Sequence, residues 1–330
     1  DNTGWRMRVP GYPMLTAIGG NIPRAPSDWY DTECAPSKKG SWRLTPAHSS
    51  QGFYSDANIR HLVNFAAARD IRIVPEISIP SHAGAAIRAY PHLGNPALVH
   101  EAAHRDNQTL WPSTASLSFV EAAFHHACSL FPSPTIHIGG ATTDRTPWES
   151  DSSLMRAGLT SGAAIERLFI DRALHTLHFH GRRAAAWDTL TTTYPTPPPG
   201  TILLARRPGD TGRRAAESSG APWVLADANI LTLSHPGRTN SPLELAHTLY
   251  DRLSHALHGE RLKGVEAVAW SSAITTPDLL FYHLLPRLLV VAEAAWHGED
   301  SLSWEKLAPL IEHEMAYLRH TVPYWNPQRP

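Results

Sequence analysis

Short apolar segments of strand character alternate with longer segments of helical period along this chain, and that alternation restricts the fold more than any other feature. Ser55 precedes Ile59, Leu62, Val63 and Ala66, spaced as on one face of a capped helix, and Ile71-Arg72-Ile73-Val74 then reads as a strand. The order returns. A helical run over 119–130 leads to the strand Thr135-Ile136-His137-Ile138, and a longer one over 162–177 leads to Arg183-Ala184-Ala185-Ala186-Trp187. Residues 201–204, 223–226 and 265–270 read as three further strands, followed by apolar helices through Trp296 and over 304–318. Strands separated by helices of this length imply parallel βαβ units. Six such strands are predicted, whereas a closed barrel of this type needs eight. The Pro-rich stretch 195–199 is a stiff loop within the alternation, so residues 1–330 read as a single domain.

Composition excludes more than it suggests. With 29 basic and 30 acidic residues, the chain has no surplus charge for tracking phosphates or an anionic membrane, so nucleic acid is not an expected partner. The longest apolar stretch, 279–291, is broken by His283, Pro286 and Arg287, and no membrane span is predicted. Cys34 and Cys128 form no C-x-x-C pair, which excludes a cysteine-built zinc site and leaves one disulfide open; Cys128, in an apolar helical run, reads as a buried thiol. The chain opens on Asp1 without a signal peptide, so an upstream segment is expected and the compartment cannot be read directly.

The stretch His137-Ile138-Gly139-Gly140-Ala141-Thr142 resembles the active-site strand of glycoside hydrolase family 20, the β-N-acetylhexosaminidases, in which the two residues after Gly-Gly are the catalytic Asp-Glu. Other segments resemble the same family in its order. They are Asp1-Asn2-Thr3-Gly4-Trp5-Arg6 with Pro10-Gly11-Tyr12-Pro13, then Gly52-Phe53-Tyr54-Ser55 through Pro75-Glu76-Ile77-Ser78 to Ser81-His82, then Trp148-Glu149-Ser150. Pro286-Arg287-Leu288-Leu289 and Ala292-Glu293-Ala294-Ala295-Trp296 close the series. The resemblance implies a (β/α)8 barrel of the triosephosphate isomerase (TIM) type, incomplete at its N-terminus, in which this chain supplies strands three to eight. It also implies two open barrel edges, near 71–77 and 265–270, to be covered by an upstream segment or a protein partner.

The same resemblance implies a changed chemistry. In the family the substrate's own acetamido oxygen attacks the anomeric carbon, a Glu protonates the leaving oxygen and an Asp orients the acetamido group. At those positions this chain has Ala141 and Thr142, and neither can give a proton near neutral pH. Other polar positions are altered in the same sense: Ser78 stands for an Asp, Thr232-Leu233-Ser234 for Tyr-Leu-Asp and Ser272 for a Glu, and a pocket Trp has become Ala205 or Arg206. Trp187 and Trp270 are retained, as sugar-stacking walls or as core. His82 reads as a pocket hydrogen-bonding group or as structure, and His137 as buried structure. Asp144 and Asp188 are the carboxylates closest in sequence to the lost pair, read as solvated loop or cap rather than relocated acids, with Asp188 also a candidate substrate contact.

His100-Glu101-Ala102-Ala103-His104 matches H-E-x-x-H, with Glu121 or His125 as third zinc ligand by spacing. With twenty histidines in the chain the pattern arises by chance in roughly one of twenty such sequences, and the family has no metal there, so neither metal nor cofactor is expected. The cluster His175, His178 and His180 ends a helix, where imidazoles complement the dipole. The sequence therefore predicts an impaired hexosaminidase-like protein that binds N-acetylhexosamine glycans. An active or altered glycosidase and a structural subunit are the alternatives, and the resemblance suggests a periplasmic or extracellular setting.

Overall fold

The computed structural model describes residues 2, 4–21, 52–101, 108–234, 241–271, 274 and 277–321. They cluster into two compact units, Asp1–Thr201 and Ile202–Pro330. Each unit contributes three parallel strands in chain order, the topology of a partial TIM-type barrel with six of its strands.

In the first unit, helix α1 (Asp56–Ala67) precedes strand β1 (Glu76–Ile79), α2 (Thr114–Leu130) precedes β2 (Thr135–Gly139), and α3 (Gly162–Phe179) precedes β3 (Arg183–Trp187). The predicted cap is present. Ser55 Oγ accepts from Asn58 N while Asn58 Oδ1 accepts from Ser55 N, a reciprocal box that satisfies two end donors of α1. β2 lies between β1 and β3 and is buried at every residue. Covering helices α2 and α3 bury Phe119, Phe124, Ile165, Phe169 and Ile170 to within 1% of full burial. A run of three alanines would favour a helix in isolation, yet Ala184, Ala185 and Ala186 are strand because pairing with β2 and burial override local preference.

In the second unit, β4 (Ile202–Ala205), α4 (Asp210–Ser219), β5 (Trp223–Leu225), α5 (Pro242–Ser254) and β6 (Leu262–Val265) follow in turn. Helices α6 (Pro277–Leu284), α7 (Arg287–His297) and α8 (Trp304–Thr321) complete it. β5 pairs with β4 and β6 on its two sides.

Two predicted strands are displaced. Residues 71–74 are irregular, with Ile71 58% exposed, and the strand begins at Glu76, after Pro75. Proline has no N–H to give to a ladder, so Pro75 joins only as an acceptor, its carbonyl taking the His137 N–H at 2.9 Å. β6 ends at Val265 where 265–270 was predicted; the register shifts along its pairing with β5, and Val268 makes only an isolated bridge with Thr232. Among the described residues, the strands with a single strand neighbour are therefore β1 at 76–79 and β6 at 262–265. No described helix is long and apolar enough to cross a membrane. Cys128 is a buried free thiol, and Cys34 lies outside the described residues.

Replacing Ser55 by Ala removes one partner of the α1 cap, and an N-cap of this kind contributes about 1 kcal/mol. Urea unfolding of Ser55→Ala should show that loss with an unchanged slope, and Ser55→Asp should restore most of it.

Candidate functional site

In β/α folds of this kind, site residues gather where the strands end. In the first unit one polar or aromatic residue from each strand meets the others. Glu76 of β1 is paired in register with His137 of β2. His137 in turn pairs with Ala185 of β3, and Trp187 lies two residues further on the same side of that strand. Glu76 Oε1 accepts from Trp187 Nε1 at 3.2 Å and from Ser78 Oγ at 2.9 Å, and lies 3.4 Å from His137 Nδ1. The His137 ring meets the Trp187 ring edge-on at 4.8 Å.

His137 Nδ1 has two exclusive uses. Unprotonated, it accepts the Gly139 N–H at 3.2 Å; protonated, it donates to Glu76. Nε2 is buried and has no hydrogen-bond partner among the described residues. Burial pushes the Glu76 carboxyl up, but the hydrogen bond and charge of His137, with the bonds from Ser78 and Trp187, outweigh it and bring it down to about 2. Glu76 is thus ionised at neutral pH.

The chain leaves β2 through two glycines for a steric reason. Gly139 and Gly140 have φ of 77° and 70°, and a Cβ on Gly139 would sit 2.6 Å from Ser78 Cα. Beyond them Ala141 is half-buried and Thr142 exposed. Thr189 Oγ1 donates to Gly140 O at 2.6 Å, and Thr143 and Ser81 hydroxyls donate to Ala141 O at 3.3 and 3.4 Å. Buried Glu166 of α3 anchors the rest of this loop. It accepts from Thr143 Oγ1 at 3.0 Å, Arg145 Nε at 2.8 Å and Thr193 Oγ1 at 3.0 Å.

The remaining predicted residues fall as follows. Asp144 accepts the Thr146 N–H at 3.0 Å, an Asx turn one residue before the N-cap of the short helical turn 146–149. Asp188 is fully buried immediately after β3. His82 holds a left-handed backbone, φ 59°, with Nδ1 3.3 Å from Asn2 Nδ2. Trp187 is 6% exposed, so little of its ring is left for a ligand. In the second unit Trp270 is half-buried with the Arg206 guanidinium 4.6 Å from its ring centroid. Thr232 bridges Val268, Ser234 is buried with Oγ unpartnered among the described residues, and Arg287 donates to Leu233 O at 2.6 Å and His283 O at 2.5 Å. Burial lowers the Arg287 guanidinium to about 10.

Ser272 and His104 lie outside the described residues. Of the zinc candidates, Glu121 accepts from Arg172 at 3.0 Å and His125 Nδ1 meets His180 Nε2 at 2.6 Å. Among the described residues no three His, Cys, Asp or Glu side chains converge as a metal site. Sequence reasoning missed Glu76 as a functional group; its signal was a carboxylate and a hydroxyl two residues apart, on one face of a strand whose other face carries Ile77 and Ile79. It also missed the Arg145–Glu166 anchor, for which residues 21 apart give no local sign.

The family description "Glycosyl hydrolase family 20, catalytic domain" matches residues 1–299. A β-hexosaminidase of Porphyromonas gingivalis is 25% identical over 319 residues, 90% of this chain and 38% of that protein. One of Akkermansia muciniphila is 25% identical over 97% of this chain and 65% of its own length. The chain thus spans between about one third and two thirds of these relatives. A crystal structure of the family 20 exo-β-N-acetylglucosaminidase of Vibrio harveyi with N-acetylglucosamine superposes with a TM-score of 0.77 at 22% identity. That match covers all of this chain and 53% of the other, and it shows the fold.

The Glu76 cluster predicts a pH signature. Because the folded-state carboxyl lies below the ordinary 4.5, its contribution to stability is complete above that value and is lost as pH falls from 4.5 through about 2. Denaturant midpoints between pH 6 and 2 should fall across that window, and Glu76→Gln should flatten this part of the curve while lowering stability at neutral pH. Parallel curves for the two proteins would contradict the assignment. Separately, Gly139→Ala should destabilise by about 1–3 kcal/mol, measured by denaturant titration, because its φ and the contact with β1 both oppose a side chain.

Proposed function

Because the chain belongs to glycosyl hydrolase family 20, we propose that it is a catalytically impaired β-N-acetylhexosaminidase-like protein that binds glycans carrying N-acetylhexosamine. The observation that carries this reading is the segment leaving β2. At the positions that resemble the family's catalytic pair, Ala141 offers a methyl group and Thr142 a hydroxyl, neither of which is an acid near neutral pH. Loss of general acid catalysis alone costs about 10²–10⁴-fold in rate.

The neighbouring carboxylates do not replace it. Glu76 titrates at about 2 and holds no proton to give at pH 7. Asp144 is engaged in an Asx turn with Thr146 N, and Asp188 is fully buried. Binding is supported by the half-buried indole of Trp270 in the second unit, whereas in the first unit Trp187 and Asp188 are too deeply buried to meet a ligand and half-buried His82 is left as the contact there. On the same reading the chain is one barrel domain, and the sides of β1 and β6 that have no strand neighbour among the described residues are covered by a protein partner. The setting is periplasmic or extracellular.

Activity against aryl β-N-acetylglucosaminides tests the reading. The expected result is no cleavage above background, and no rescue by the double variant Ala141→Asp, Thr142→Glu, since Ser78, Thr232 and Ser272 also lack the family's polar groups. Turnover by the unaltered protein that disappears in Asp144→Asn or Asp188→Asn would establish a relocated acid and overturn it.

A further inference from the structure

We propose that His125 and His180 form a binding site for a divalent transition-metal cation of the nickel or copper type, held by two imidazoles and completed by water. The two residues come from different helices. His125 lies in the last turns of α2 and His180 is the C-cap of α3, so the pair joins the two helices where each leads into the N-terminal end of its strand. Ligands of β/α folds are bound at the opposite, C-terminal ends of the strands. The pair is therefore a site apart from the residues that gather there.

His125 Nδ1 and His180 Nε2 face each other at 2.6 Å, with the rings at 85° and their centroids 4.6 Å apart. Two neutral imidazoles that meet nitrogen to nitrogen need one hydrogen between them, given by one ring and accepted by the other. A metal ion satisfies both lone pairs at once, the donating ring moving its hydrogen to its far nitrogen. His180 is suited to this role, because burial, His125 and the Arg182 guanidinium push its imidazole below the ordinary value and keep it unprotonated at neutral pH. Phe179, 73% exposed, meets the two rings edge-on at 5.8 and 5.3 Å and limits how they turn. Both histidines are half-buried, which leaves solvent within reach of the pair.

Geometry and charge select the cation. With metal–imidazole bonds of about 2.0–2.1 Å, nitrogens 2.6 Å apart subtend about 80° at the metal. The cis angle of a square or octahedral ion is about 90° and needs the nitrogens to part by about 0.3 Å, whereas a tetrahedral ion needs about 0.7 Å. The first is the smaller movement. Among the described residues no third His, Cys, Asp or Glu side chain converges on the pair, and Glu121, one turn earlier on α2, is already paired with Arg172 at 3.0 Å. Two neutral imidazoles with an arginine nearby suit nickel(II) and copper(II), while calcium and magnesium require carboxylate or carbonyl oxygens. A bound ion would tie α2 to α3 and, by binding only the folded chain, stabilise it.

Isothermal titration of the whole chain with nickel(II) tests the site. Its strongest binding step should weaken about tenfold or more in both His125→Gln and His180→Gln, since a direct ligand counts for no less than the outer groups whose loss costs about 10–100-fold. Glutamine can keep a hydrogen bond between the helices but is a poor nickel ligand, so urea midpoints of the metal-free variants should stay near that of the unaltered protein. His178→Gln, an exposed neighbour at the same helix end, should leave nickel binding unchanged. Copper(II) added to the unaltered chain should give an electron paramagnetic resonance spectrum split by two imidazole nitrogens, a readout that does not depend on any variant folding. Nickel affinity unchanged in both His125→Gln and His180→Gln, or copper splitting from a single nitrogen, would place the metal elsewhere and overturn the proposal. Absence of nickel heat and of protein-bound copper at millimolar metal would reduce the pair to a hydrogen bond between helices, and would overturn it as well.

Discussion

A single carboxylate, Glu76, joins the three strands of the first unit. A charge this close to an apolar sheet is tolerated only when its lone pairs are occupied, and here Ser78, Trp187 and His137 occupy them. With 35% of its side-chain surface still exposed, Glu76 is partly screened, so the cluster fixes geometry more than it adds stability. It determines where the Trp187 ring lies and which use His137 makes of Nδ1. It also removes Glu76 from consideration as a proton donor, since the same bonds that hold it in place hold it ionised.

The scaffold and the chemistry of this family have different tolerances. Gly139 must lack a side chain because β1 passes against it, and Gly140 must adopt a left-handed backbone with Leu190 and Ala186 beside it. Those constraints are steric and persist whether or not the next residues react. The side chains of Ala141 and Thr142 have no such packing role; the loop is held through its main chain, whose carbonyls at 140 and 141 accept from Thr189, Ser81 and Thr143. The placement of this loop thus does not depend on the chemistry of residues 141 and 142, because the Glu166–Arg145 anchor, with Thr143 and Thr193, holds it.

The fold was legible where the signals are local or periodic. The α1 cap at Ser55, the helices α2 and α3 and the strands at 135, 183, 202 and 223 follow from spacing and side-chain type. The errors fall where pairing, not composition, sets the boundary. Ile71-Arg72-Ile73-Val74 has strand composition and yet is irregular, because the ladder is aligned by the Glu76–His137 register and Pro75 cannot donate to it. Val268 looked like mid-strand and makes one isolated bridge. At the site, the positions of Ala141, Thr142 and His82 could be anticipated, but not that His82 would be held by Asn2, eighty residues away in sequence, or that Trp187 would give its N–H to Glu76. Contacts of that length leave no periodic trace.

The two edge strands show what a sheet of this kind requires. β1 and β6 each have one strand neighbour among the described residues, and the other side of each presents main-chain donors and acceptors that a parallel β/α sheet normally pairs. Each carries one charged residue, Glu76 in β1 and Lys263 in β6. β1 carries Ile77 and Ile79 and is preceded by exposed Phe65, Ile71 and Val74, while β6 has Lys263 as its one charged residue. Edges that stand alone in water are usually guarded by charge, proline or strong bulges. Pro75 guards only the entrance to β1, and the register shift in β6 lies along its pairing with β5. The apolar residues of the edge strands themselves are directed inward, Ile77 and Ile79 buried and Leu262 and Val265 half-buried, so what the two edges present beyond the described sheet is main chain rather than apolar side chain.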